Sequence, residues 1–169
     1  MLLFKGLKKK YKQEAGDLYI TDIVCSALAK ECSKEIIDAA RKHFLPDYQP
    51  LNLDYACKPD APDQPFPSED EMILFFTDNP GHDQFFYWNQ QQDNPDKVML
   101  GAHITHDHHL IISLTLNGTS TTRANYYHAL KTLLHADAAT ISYSTPAKYD
   151  DGADFIRRYQ NQQHDFEKP

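Results

Sequence analysis

Two apolar runs on either side of a short polar tip constrain the fold more than any other feature. The runs are "KVMLGAHIT" (97–105) and "HLIISLTLN" (109–117), and both have the composition of β-strands. If they pair so that Ile104 faces Leu110 and Leu100 faces Leu114, one face of the hairpin is entirely apolar. A shift by one residue would mix polar and apolar side chains on both faces, because side chains alternate along a strand. The sequence therefore predicts an antiparallel hairpin in this register.

The same register places the histidines. It leaves His106, Asp107 and His108 as a three-residue turn, with both histidines in solvent. His103 and His109 fall on the polar face, about 7 Å apart as diagonal neighbours. A metal, if any, would be held by those two, but a third ligand and every familiar zinc motif are missing. We predict no metal and no other cofactor.

The remaining segments complete an α+β pattern. Strand composition marks three further segments: "EMILFFT" (71–77), "QFFYWNQ" (84–90) and "ATISYST" (139–145). Helical spacing of apolar residues marks 17–44, with a possible break near Ser33, and 119–136, and a short helix is expected within 150–163. The fold class predicted is α+β, a mainly antiparallel sheet of about five strands with a long N-terminal helix and a crossover helix on one face.

The chain is expected to form a single domain over residues 1–169. Residues 1–12 contain five lysines and no acid and are expected to be a basic tail. Residues 46–70 contain six prolines and are predicted to be an acidic connector, with a short edge strand in "LNLDYAC" (51–57).

Charge is distributed unevenly along the chain. The formal net charge is −7, yet residues 46–96 contain eleven acidic residues and a single lysine, a formal charge of −10. Such a field repels nucleic acid and attracts basic proteins, although acidic loops also serve solubility alone. We therefore expect a basic protein as partner and no nucleic acid.

Motifs of common enzymes are absent from the sequence. It contains no G-x-S-x-G elbow, no phosphate-binding loop, no dinucleotide-binding glycine pattern and no HExxH helix. Three cysteines do not make a disulfide framework, and no apolar run approaches the ~20 residues of a membrane span. We expect a non-enzymatic protein of the cytoplasm that does not bind membranes.

Aromatic residues of 84–90 must face both sides of a strand. Phe85 and Tyr87 point one way, and Phe86 and Trp88 point the other way, because side chains alternate. One pair belongs to the core, and the other is covered by a helix, by the connector or by a partner. The partner-binding residues predicted from these aromatics and acids are Glu69, Asp70, Glu71, Asp78, Asp83, Phe86 and Trp88.

The succession of hairpin, helix, strand and acidic tail over residues 98–155 resembles small bacterial α+β proteins, some of which are immunity proteins. That resemblance implies a cytosolic, non-catalytic inhibitor that neutralises a toxin, and it carries over no functional residue. The leading hypothesis is an immunity-type inhibitor of a basic toxin such as a nuclease. The alternatives are a small enzyme that uses His103 and His109 as metal ligands or acid–base groups, and a structural subunit that forms a homodimer through its sheet.

Overall fold

The computed structural model describes residues 18–54 and 56–166, so the predicted basic tail at 1–12 lies outside the described residues. In these ranges the fold is α+β, with a five-stranded antiparallel sheet, a separate two-stranded pair and four helices. In the described ranges no helix has both the length and the apolar character needed to cross a membrane. The elements are β1 (Ile20–Leu28), α1 (Lys34–Phe44), β2 (Cys57–Lys58), β3 (Ala61–Pro65), α2 (Glu69–Asp78), β4 (Gln84–Asn89), β5 (Met99–Ile104), β6 (Leu110–Gly118), α3 (Ser120–Leu134), β7 (Ala139–Tyr143) and α4 (Gly152–Tyr159). The strand order of the sheet is β4-β5-β6-β1-β7, and β2 pairs with β3.

The predicted hairpin register is confirmed. Strands β5 and β6 pair antiparallel with Ile104 opposite Leu110 and Leu100 opposite Leu114. All four side chains are buried in the main core, as expected for the apolar face of the hairpin. The β5–β6 hairpin, which the sequence specifies most clearly, therefore forms part of the sheet as predicted.

The hairpin tip is more firmly held than a solvent-exposed turn. His106 is exposed, as predicted, and His108 adopts a left-handed backbone with φ of 64°. The prediction that His108 is exposed is wrong, because its ring is half-buried and Nε2 donates to the Thr77 carbonyl oxygen at 2.7 Å. Asp107 accepts hydrogen bonds from the backbone N–H groups of Gly152 and Ala153, at 3.0 and 2.9 Å. The tip thus links the last turn of α2 to the first turn of α4.

The long N-terminal helix predicted over 17–44 is wrong in its first half. The structure has strand β1 first, and Ser33 then precedes helix α1 as its N-terminal flanking residue. Strand β1 lies between β6 and β7, and its central residues are buried on both faces. A strand covered on both faces shows a continuous apolar run rather than alternation, so its sequence is easily mistaken for a helix.

The strand predicted over 71–77 is also wrong, since these residues belong to helix α2. The Ser68 hydroxyl accepts a hydrogen bond from the Glu71 backbone N–H at 3.1 Å and fixes the start of the helix. Its aromatic and β-branched residues suit a strand by composition, but Met72 and Phe76 pack into the core from a helical backbone. In the predicted connector, the edge strand expected at 51–57 is replaced by the β2–β3 pair.

Three helices cover one face of the sheet. Helices α1, α2 and α3 contribute Ile37, Ile73 and Leu130 to the main core, and all three side chains are fully buried. Helix α3 is the predicted crossover helix, because it joins β6 to β7 across the intervening strand β1. Helix α4 lies on the other face, where Phe155 packs against Ile111.

A buried ion pair joins the helical layer to the sheet. Arg41 of α1 is almost fully buried and donates to Glu69 of α2. The Glu69 carboxylate also accepts from Trp88 Nε1 on β4 at 2.7 Å and from the Leu51 backbone N–H at 2.9 Å. The Arg41 guanidinium lies over the Trp88 ring, 5.1 Å from its centroid. One carboxylate therefore holds two helices, an edge strand and the connector together.

We expect Glu69→Gln to lower the free energy of unfolding by about 3 kcal/mol, because it removes the more buried of the two carboxylates in direct contact with Arg41 and leaves only the more exposed Asp38. Glu71→Gln is the matched control, since Glu71 is an exposed acid in the same turn of α2, and it should change the value by under about 1 kcal/mol. Urea unfolding of both variants measures the difference. Equal stabilities would show that the pair does not hold the layers together.

We expect Asp107→Asn to cost about 2 kcal/mol at pH 7, because an amide cannot accept from both backbone N–H groups as a carboxylate does. Burial opposes ionisation of Asp107, but hydrogen bonds from Thr105, Gly152 and Ala153 outweigh it and hold the pKa well below its usual range. A depressed pKa stabilises the fold above the unfolded value of about 3.9, and this contribution is lost as the pH falls through the folded value.

The difference between Asp107→Asn and the parent chain should therefore shrink when unfolding is measured near pH 3. His106→Asn is the control at the same tip, and we expect it to leave stability within about 0.5 kcal/mol. A pH-independent difference would mean that the amide disturbs packing rather than charge.

Candidate functional site

The described residues cover only part of the sheet face opposite helices α1–α3. Helix α4 and the segment 144–151 lie over one part of it, and a groove of about 270 Å³ remains open beside them. Strands β4, β5, β6 and β1 form its floor and one wall, and the segment 144–151 forms the other wall. Its lining includes Phe85, Tyr87, Met99, Gly101, Ser113 and Pro146.

Gly101 creates the depth of the groove. A Cβ atom at this position would lie 2.5 Å from Ser113 Oγ and 3.1 Å from Tyr87 Cε1. Because that atom is absent, the Tyr87 ring lies directly over strand β5, where Tyr87 is the cross-strand neighbour of Gly101. A glycine within a strand thus marks a close approach, here of an aromatic ring to the sheet.

Two aromatic rings form the exposed wall. Phe85 and Tyr87 stand parallel, with ring centroids 6.2 Å apart and planes inclined by 6°. Phe85 also stacks on His103, its cross-strand neighbour, at 3.6 Å between centroids. The two side chains remain 47% and 51% exposed, which is unusual for large apolar rings on a sheet.

His103 lies at the centre of a hydrogen-bonded array. Its Nε2 is 2.9 Å from Asp83 Oδ1, and its Nδ1 is 2.8 Å from the Tyr149 hydroxyl. An ionised Asp83 accepts only, so Nε2 carries the proton and Tyr149 donates to Nδ1. Burial lowers the pKa of His103, and the nearby Asp83 charge raises it and offsets part of that effect. Burial also raises the pKa of Tyr149. Near neutral pH the array therefore holds a neutral histidine and a protonated tyrosine beside the Asp83 carboxylate.

His103 and His109, the two histidines proposed as metal ligands or acid–base groups, have different partners. His109 Nδ1 lies 3.1 Å from Asp107 Oδ2, and its ring packs against Gly152 at the start of α4. His103 instead contacts Asp83 and Tyr149. Within residues 18–54 and 56–166, no group of three or more His, Cys, Asp or Glu side chains is arranged to hold a metal ion.

The structure divides the predicted partner-binding residues into exposed and buried ones. Phe86 and Trp88 are 2% and 0% exposed, so their assignment to a partner surface is corrected. They face the helices because strand alternation turns Phe85 and Tyr87 outward, and Trp88 binds Glu69. Glu69 is likewise occupied, with only 13% of its side chain exposed.

Four predicted acids remain at the surface: Asp70, Glu71, Asp78 and Asp83. Acidic residues in the first turn of α2 stabilise the helix, because their negative charge interacts favourably with the positive N-terminal end of the helix dipole. Asp78 lies in the last turn, where an acid is unfavourable and no basic residue accompanies it. Helix stability therefore explains Glu71 but not Asp78. Asp83 follows five residues later, immediately before β4.

Comparisons of the chain with protein-family models, curated proteins and solved structures found no match. The candidate site is therefore defined by geometry. It consists of the groove walled by Phe85 and Tyr87, the Asp83 carboxylate that is hydrogen-bonded to His103, and the acidic surface of α2. Sequence analysis identified His103 and Asp83 separately, but it missed Tyr149 and the exposed pair Phe85 and Tyr87. The β4–β5 register, which pairs Phe85 with His103, is the signal that could have found the aromatic wall.

We expect the His103 ring to titrate below 6.5, the ordinary value for histidine, and Asp83→Asn to lower its pKa further. The physical reason is that burial disfavours the charged ring, while the Asp83 carboxylate favours it. Ring-carbon NMR signals followed from pH 8 to pH 4 measure both values. Asp93→Asn, in an exposed loop, is the control and should leave the His103 signal unchanged. An upward shift in Asp83→Asn would contradict the assigned contact.

Proposed function

We propose that this chain is a non-enzymatic protein-binding module of the cytoplasm, an immunity-type inhibitor of a basic toxin such as a nuclease. The observation that carries the proposal is the acidic surface on and after α2. Asp70, Glu71, Asp78 and Asp83 are exposed there, and residues 59–96 contain no lysine or arginine. A surface of one charge sign attracts a partner of the opposite sign and speeds their association.

The acidic residues differ in how much charge they offer a partner. Asp70 is partly neutralised within the chain, because Lys34 Nζ lies 3.1 Å from its Oδ1. Glu69 is committed to Arg41 and to Trp88. The charge available to a partner therefore rests mainly on Glu71, Asp78 and Asp83.

The two alternatives have less support in the geometry. An enzyme that used His103 and His109 together would need them at one centre, but they have separate partners. A homodimer through the sheet would use an edge strand, and β4 and β7 are the two edges. Part of the β4 edge is already used, since Tyr48 and Gln90 form a bridge at its end.

We expect binding to a basic partner to weaken with salt through its on-rate. The chain would be immobilised, basic proteins captured from the source cell at about 50 mM salt, and association kinetics of the captured protein repeated at about 500 mM. Glu71→Lys and Asp78→Lys should each slow association several-fold at low salt and leave the off-rate nearly unchanged.

Asp137→Lys is the matched control, because it changes the net charge equally at an exposed site between α3 and β7. It should slow association less than Glu71→Lys does. Equal effects of all three variants, or association kinetics that do not depend on salt, would show that the acidic surface does not contribute to binding. Capture of nucleic acid alone would overturn the proposed partner class.

A further inference from the structure

The groove on the open face of the sheet has the chemistry of a pocket for a cation. We propose that it receives one arginine side chain of the basic partner, with the guanidinium against Phe85 and Tyr87 and directed toward Asp83. This inference rests on the proposed function and specifies where the partner would be anchored. Three properties of the groove carry it: the aromatic wall, the charge and the size.

The aromatic wall offers ring faces to a planar cation. One face of Phe85 is covered by His103, but Phe85 and Tyr87 are parallel and about half exposed, so part of each ring remains accessible. A guanidinium group stacks on such rings through cation–π attraction and is less strongly hydrated than an ammonium group. Arginine therefore suits this wall better than lysine does.

Charge in and around the groove favours a cation over an anion. Among the described residues, none of the side chains that line the groove is a lysine or an arginine. His103 is neutral near pH 7, since burial disfavours its charged form. Asp83 is not itself one of the lining side chains, but its Oδ1 lies 2.9 Å from Nε2 of His103, which does line the groove, and 46% of its side chain is exposed. An arriving guanidinium would find a carboxylate beside the His103 part of the lining and no cation among the described lining side chains.

Size restricts the occupant to about one side chain. The groove encloses about 270 Å³, which is below the range of roughly 300–1,000 Å³ for pockets that bind small-molecule ligands. Met99 and Pro146 supply apolar contact for the arginine stem, and Gly101 supplies depth. Arginine and aromatic residues are the usual anchors at the centre of protein interfaces, and the acidic surface of α2 would act as the charged surround.

The test uses a model side chain with an isosteric neutral control. The ¹⁵N-labelled chain would be titrated with N-acetyl-arginine methylamide and, separately, with the citrulline analogue, which has the same shape and no charge. We expect the arginine probe to shift the amide signals of Phe85, Tyr87 and Gly101, and the citrulline probe to bind at least about tenfold more weakly.

Variants distinguish the wall from the carboxylate. Tyr87→Ser and Asp83→Asn should each weaken binding of the arginine probe about fivefold or more, whereas Tyr87→Phe retains a ring face and should stay within about twofold. Asp93→Asn removes an exposed acid elsewhere and is the matched control. Retained folding of each variant is read from the same spectra.

Several results would overturn the inference. Equal binding of both probes, or tighter binding of a neutral aromatic such as benzyl alcohol, would assign the groove to apolar ligands. Shifts of the same signals with protein concentration alone would assign it to a second copy of this chain. If a captured basic partner dissociates from the Tyr87→Ser variant at the same rate as from the parent chain, the groove is not the anchor, and the proposed inhibitor function is retained without it. If the chain binds the arginine probe but captures no basic protein, the proposed inhibitor function is refuted and the cation site is retained.

Discussion

The Arg41–Glu69 pair is the interaction on which the arrangement of the helical face depends. A buried guanidinium requires a buried counter-charge, so α2 must bring its first turn against α1. The same carboxylate binds Trp88, which fixes the inward face of β4. Once Trp88 and Phe86 are turned inward, strand alternation leaves Phe85 and Tyr87 no position except the outward face. The exposed aromatic wall is therefore a consequence of an ion pair on the opposite side of the sheet.

Sequence reasoning succeeded where local pattern and tertiary environment agree. The β5–β6 hairpin, with Ile104 opposite Leu110, has one apolar and one polar face, and its register follows from that asymmetry. It failed for β1, which is buried on both faces, and for α2, whose β-branched and aromatic composition suits a strand. The signal for α2 was present in Ser68 and Glu71, which have the spacing of a helix-capping box. For α2, the capping residues therefore predict the observed helix better than the apolar composition does.

The site was less predictable than the fold because its contacts are distant in sequence. His103 was recognised as a candidate, but Asp83 and Tyr149 lie 20 and 46 residues from it along the chain. Contacts of that kind depend on which strands are neighbours and on the path of the segment that follows β7. The sequence prediction placed Phe86 and Trp88, rather than Phe85 and Tyr87, on the partner surface, because the buried partner of Trp88 cannot be identified from sequence. Charge, in contrast, is a property of composition, and the exposed acids of α2 were identified from the sequence.

The position of β1 in the middle of the sheet has a consequence for folding during synthesis. Its partner in β6 is 83 residues further along at the nearest pairing, Leu28 with Ile111, and its other neighbour, β7, follows later still. At roughly 5–20 residues per second, the ribosome needs several seconds or more to make those partners. During that interval the backbone N–H and C=O groups of β1 have no partner strand on either edge, so the sheet cannot form around it. Sheets that depend on such distant pairing fold slowly, so the nascent chain has a period in which chaperones have access to β1.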